Sequence, residues 1–152
     1  MNRAIRLTLI VVAAFVAFTA LAGGVALILG STIPAFSTVL VPPGAYLRGS
    51  PFDSYVIPGT ALILLVSAPH AVAAFASARR RSWAPAAGAL AGFACLIWIF
   101  VQMVYIPFSL LQAAYFGIGM LELGLVLLLL GILSPVGVHP AAPHPQQHVS
   151  AR

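Results

Sequence analysis

Two ionisable side chains stand inside long apolar runs: His70 in "LLVSAPHAVAAF" and Glu122 in "FGIGMLELGLVL". A bare carboxylate in hydrocarbon costs several kcal/mol, so Glu122 must be neutral, paired or in contact with water. Each residue lies about fourteen positions from the same end of its run. At about 1.5 Å of helix rise per residue that is a common depth. The two are therefore expected to meet inside a helix bundle. A His–Glu pair at that depth can relay a proton or hold a cationic or hydrogen-bonding ligand. The alternative is separate satisfaction, with Glu122 protonated and bonded to a backbone carbonyl and His70 bonded within its own helix.

Other polar side chains fall on faces that could surround such a pair. At 100° per residue, Gln112, Tyr115, Gly119 and Glu122 share one side of their helix. Trp98, Gln102 and Tyr105 share a side of theirs, continued by Ala91 and Cys95. Thr60, Ser67, His70, Ala74 and Ser77 form a narrow polar and small-residue stripe. Gly117, Gly124 and Gly131 recur at seven-residue spacing opposite Glu122, so the last helix is expected to pack on two sides. Gly88 and Gly92 form a weak G-x-x-x-G packing signal. The candidates for ligand binding or proton relay are His70, Glu122, Trp98, Gln102, Gln112 and Tyr115.

A second cluster lies in "LRGSPFDSYVIPGT", residues 47–60, which gathers charge, proline, glycine and aromatics into one stretch. Pro51 and Pro58 stiffen it, and Gly49 and Gly59 allow tight turns. Phe52 and Tyr55 can plug the mouth of a bundle. Asp53 can pair with Arg48 or cap a short turn. The segment reads as a lid built from Arg48, Pro51, Phe52, Asp53 and Tyr55. That lid either seals the bundle or closes over a small amphipathic, lipid-like ligand.

The elements that position these residues follow from composition. Of 152 residues, 62% are hydrophobic and 6% charged, where ordinary domains carry roughly 25% charged residues. A globule of this size cannot hide that much apolar surface from water. Four runs are long enough to cross a bilayer, which takes about 20 residues each: about 5–30, 56–78, 83–106 and 108–133. Helices are the expected form, because hydrocarbon offers no partner for open backbone. The fold class is thus all-α, a polytopic membrane four-helix bundle over residues 1–134. The loop at 31–55 lies on the outer face, and residues 135–152 form a disordered cytoplasmic tail rich in Pro, His and Gln. The first run resembles a secretory signal with a cleavage site near Ala22, but it continues through "VALILG", past the usual signal core. An uncleaved span is expected.

All seven basic residues are Arg. Six of them, Arg3, Arg6, Arg79, Arg80, Arg81 and Arg152, fall on one side of the predicted topology, which places both termini in the cytoplasm. They flank apolar runs and make no stripe with interleaved aromatics, so no nucleic-acid partner is expected. Cys95 is the single cysteine, which excludes an internal disulfide and a Cys-x-x-Cys oxidoreductase. His139, His144 and His148 are separated by prolines that fix no coordination geometry, so no metal site is expected.

Three segments, "LRGSPFDSYVIPGTALILL", "GFACLIWIFVQM" and "SLLQAAYFGIGMLELGL", resemble a family of small bacterial four-span integral membrane proteins. The shared pattern is S-P-F-x-x-Y-x-x-P-G in the outer loop, W-x-x-x-Q in the third span and L-Q-x-x-Y-F-x-x-G in the fourth. The resemblance implies a multi-pass protein of the bacterial inner membrane and carries no activity, cofactor or site role with it. Three function classes remain. The first is a structural, accessory or lipid-binding membrane protein, alone, as a homo-oligomer or beside a membrane partner. The second is a proton-coupled transporter or channel subunit using His70 and Glu122. The third is a lipid-modifying or quinone-linked enzyme with that pair as acid and base. No nucleotide loop, metal cluster or activated nucleophile is visible, so the first class is preferred, an enzyme is disfavoured and no cofactor is expected.

Overall fold

The computed structural model describes residues 3–132; the predicted tail and its three histidines lie outside the described residues. Four helices are long and apolar enough to cross a membrane: α1 Arg3–Thr32, α2 Val56–Ala78, α3 Ala84–Tyr105 and α4 Leu110–Leu129. The 22 residues of α3 span about 33 Å at 1.5 Å per residue, enough for a ~30 Å hydrocarbon core. Phe18, Val104 and Leu110 are among many large apolar side chains left on the outside. Such an exterior suits lipid rather than water.

The chain runs up and down. Helix α1 packs on α2, α2 on α3, α3 on α4, and α4 back on α1. One end carries the segment 33–55, with short 3-10 turns at Pro34–Phe36 and Gly44–Leu47; we call it the lid end. The other end carries Arg79, Arg80 and Arg81 in the tight turn between α2 and α3. There Arg80 takes a left-handed backbone (φ 53°), and the Arg81 amide donates to the Ala76 carbonyl at 3.0 Å.

Close backbone approach sets the packing. A Cβ placed on Gly59 would stand 2.7 Å from the Gly24 carbonyl oxygen, so α1 and α2 cross with glycine against glycine. Gly92 and Gly119 do the same for α3 and α4: a Cβ on either would stand 3.3 Å from the other's carbonyl oxygen. Gly88 of the G-x-x-x-G faces Val126 and Leu9. At the arginine end, Leu9, Leu125 and Val126 close α1 onto α4. Alanines at 13, 73, 76, 84, 87 and 91 fill the narrow space between α1, α2 and α3.

Two expectations about helix faces are corrected. Gly117 and Gly124 meet nothing within 4 Å, so α4 packs on one side only within the chain. Thr60 does not join the interior stripe; it is exposed and donates to the Val56 carbonyl of its own helix at 2.9 Å. The cause is a π-helical stretch at Leu62–Ser67. Pro69 cannot donate to the carbonyl four residues earlier, and the wider turn just before it inserts an extra residue and rotates the face. Ser67 and His70 are then buried while Thr60 is not.

The fourth helix begins at Leu110 rather than 108. Ser109 is its N-cap, accepting from the Gln112 amide at 3.3 Å, and the Gln112 side chain returns an acceptor to the Ser109 amide at 2.9 Å. This reciprocal capping box satisfies two backbone donors that would otherwise be left at the helix start. Ordered helix ends at Leu129, before Gly131 at φ 75°.

Candidate functional site

His70 and Glu122 meet. His70 Nε2 lies 3.0 Å from Glu122 Oε2, and both side chains are 0% and 1% exposed, respectively. The contact spans a diagonal of the bundle, since α2 and α4 are not packed neighbours. Separate satisfaction holds only for His70, whose Nδ1 lies 2.6 Å from the Val66 carbonyl one turn back. A carbonyl only accepts, so Nδ1 carries a hydrogen. In an overall neutral pair, Nε2 and Oε2 share one further proton. Either a protonated carboxyl donates to a bare ring nitrogen, or an imidazolium donates to a carboxylate. The other oxygen, Oε1, is buried with no partner among the described residues.

Ser67, the residue just before Ala68–Pro69, donates its hydroxyl to the Ala17 carbonyl at 2.7 Å and ties α2 to α1. Ser77 continues the stripe toward the arginine end, and its hydroxyl is buried without a partner among the described residues. Cys95 packs beside Tyr115, its thiol 3.5 Å from the Tyr115 carbonyl.

Above the pair, toward the lid end, two chambers open. One, of about 380 Å³, is walled by α1, α2 and α3 and roofed by loop residues from Leu40 to Phe52. The second, of about 300 Å³, is lined by all four helices, with Val66 of α2 and Cys95 of α3 among its wall residues. Both contain Trp98 and Gln102 in their walls. Gln112 and Tyr115 face the second chamber only. Tyr105, Phe52 and Tyr55 face the first. Neither wall includes His70 or Glu122. The predicted candidates thus fall into two places, a sealed pair and a lidded cavity.

The lid is anchored through Tyr55. This residue is buried at the start of α2, its phenol donates to the Pro43 carbonyl at 2.9 Å, and its amide donates to Ser31 Oγ at 3.2 Å. Burial, and secondarily the neighbouring Tyr46, push the phenol above its usual range. Ser50 folds the segment back on itself, donating to the Leu47 carbonyl at 2.8 Å while accepting from the Phe52 amide at 3.3 Å. The remaining lid candidates behave differently from expectation. Arg48, Pro51 and Asp53 are exposed, and Arg48 and Asp53 form no ion pair among the described residues. Nor does Asp53 cap α2, whose N-cap is Tyr55 with no side-chain cap bond.

Sequence reasoning missed three parts of this site: the Gly24–Gly59 crossing, the Ser67 bond to Ala17 and the capping role of Gln112. Only the last had a local signal, since S-x-x-Q before an apolar run is a capping-box pattern.

The fold and the site define a class, an all-helical protein with four helices able to cross a membrane around a buried polar pair and a lidded cavity. Compared with protein-family models, curated proteins and solved structures, the chain has no match.

Proposed function

We propose that this is a non-enzymatic multi-pass protein of the bacterial inner membrane that holds a lipid-like molecule in the chamber beneath its lid. The carrying observation is the cavity of about 380 Å³ roofed by residues 40–52, with that roof tied down by the Tyr55–Pro43 bond. Cavities of this size and apolar character are typical of small-molecule sites. The excess of Arg at the end opposite the lid supports cytoplasmic termini and a lid on the outer face. The surface around Gly117 and Gly124 is open to lipid, a second copy or a membrane partner. Catalysis by His70 and Glu122 is disfavoured because neither of these two chambers includes them in its wall.

The test is lipid analysis of gently purified protein. Wild type is expected to retain a defined lipid in a fixed ratio. Ala61→Phe, which fills the chamber from its α2 wall, is expected to lose it, and Phe52→Ala to weaken it. Retention unchanged by Ala61→Phe would overturn the proposal.

The 3.0 Å contact between His70 and Glu122, with one oxygen left bare, favours a second reading: a proton-coupled transporter or channel subunit, assembled from several copies. Proton flux in proteoliposomes that vanishes in Glu122→Gln would support it. Wild-type vesicles no leakier than empty ones would remove it.

A further inference from the structure

We propose that the chamber's ligand is a neutral, single-chain molecule whose polar end is a carbonyl group, received by the Gln102 amide beside the Trp98 indole. This inference rests on the chamber reading above.

Charge comes first. Neither chamber wall contains an Arg, Asp, Glu or His. An ionised head group would find no counter-charge in these apolar surroundings, where an unpaired ion is strongly disfavoured. Phospholipids and fatty-acid anions are therefore poor occupants. Size points the same way, because about 380 Å³ suits one chain or one ring rather than a two-chain lipid.

Hydrogen bonding then selects the polar group. Several wall hydroxyls are already spent on backbone carbonyls: Thr19 on Phe15, Ser50 on Leu47 and Tyr55 on Pro43. The Gln112 carbonyl oxygen is spent on the Ser109 amide. The Gln102 side chain, by contrast, has no partner among the described residues, and it stands in the wall common to both chambers. One turn deeper on the same face, Trp98 Nε1 is buried and has no acceptor among the described residues. An indole N–H only donates, and an amide offers two further N–H donors. Tyr46, Tyr105 and Tyr115 add phenol donors to the walls. The Trp98 indole can only donate, so the group that answers it must accept, and a carbonyl oxygen, with two lone pairs and no hydrogen to place, does so while also accepting from the neighbouring Gln102 amide. An acyl ester and a quinone ring both carry that group.

The experiment uses the full chain with Trp83→Phe, so that Trp98 is the sole tryptophan, in phosphatidylcholine nanodiscs. Four probes are titrated for quenching of Trp98: a brominated-chain monoacylglycerol, its ether-linked counterpart without the carbonyl, a brominated alkyl sulfate and a decyl-tailed benzoquinone. The ester, the quinone or both are expected to saturate at about 3- to 10-fold lower mole fraction than the ether, the gain of one hydrogen bond. The sulfate is expected to bind no better than the ether. Which of the two carbonyl probes binds tighter identifies the source of the group. Gln102→Leu is expected to bring the carbonyl probes to the ether's level while leaving the ether unchanged. Equal binding of ester, quinone and ether, tightest binding of the sulfate, or a carbonyl preference that survives Gln102→Leu would overturn the inference while leaving the chamber in place. Absence of saturable quenching by every probe would instead overturn the chamber reading itself.

Discussion

Replacing Glu122 tests how the buried pair holds its proton. The side chain is fully buried, touches His70 at 3.0 Å and leaves its second oxygen bare. Glu122→Leu removes the partner of His70 Nε2 and strands a buried polar atom, which costs about 1–3 kcal/mol. Glu122→Gln is more discriminating. If the carboxyl is protonated and donates to a bare Nε2, the glutamine amide can donate in its place, and the loss stays below about 1 kcal/mol. If instead an imidazolium faces a carboxylate, Gln leaves a buried cation without its counter-charge, and the loss rises to about 3–5 kcal/mol. Completing the cycle with His70→Leu and the double variant is expected to give a coupling of about 0.6–1.7 kcal/mol, the range seen between membrane helices. The assay is equilibrium unfolding in mixed micelles, followed by circular dichroism. The neutral pairing predicts that Gln is tolerated and Leu is not. A Gln variant at least as damaged as Leu would refute the neutral pairing in favour of the ion pair, and a harmless Leu variant would refute the buried contact.

Other substitutions probe packing and lid. Gly59→Ala sets a methyl 2.7 Å from the Gly24 carbonyl oxygen; the helices must separate, and a loss of about 1–3 kcal/mol is expected in the same unfolding assay. Gly117→Ala meets open space and is expected to stabilise the helix by up to about 1 kcal/mol, unless that face is an interface, in which case crosslinked oligomers would decline. Tyr55→Phe deletes the 2.9 Å bond to the Pro43 carbonyl; amide exchange over residues 40–52 is expected to quicken about 3- to 10-fold, matching a hydrogen bond of roughly 0.5–1.5 kcal/mol. Ser109→Ala removes the cap of α4 and is expected to cost about 1 kcal/mol.

The helix content and the meeting of His70 with Glu122 were legible because hydrocarbon leaves so little freedom. Long apolar runs must be helical, and two lone ionisable groups at one depth have strong reason to pair. The lid was legible in part: Phe52 and Tyr55 do face the chamber. Its fastening was not, since the Tyr55–Pro43 and Tyr55–Ser31 bonds join residues whose approach depends on how the loop folds. The helical wheel failed at Thr60, where the π stretch before Pro69 shifts the phase, and at Gly117 and Gly124, where small residues meet no neighbour. Charge pairing failed at Arg48 and Asp53, because exposed ions on a loop gain little from each other. Neither Gly24 nor Gly59 carries a signal that names its partner, and only the crossing joins them.

The lidded chamber is the centre of this account, and photocrosslinking in native membranes tests it most directly. A benzoyl-phenylalanine replacing Tyr46, an aromatic ring already in the wall, looks into the chamber, while one at Leu64 looks outward, where the side chain is 60% exposed. Illumination followed by mass spectrometry is expected to give one dominant small adduct, neutral and carbonyl-bearing, at position 46, and the mixed phospholipids of the bilayer at position 64. The same phospholipid mixture at both positions would contradict the existence of a selective site beneath the lid.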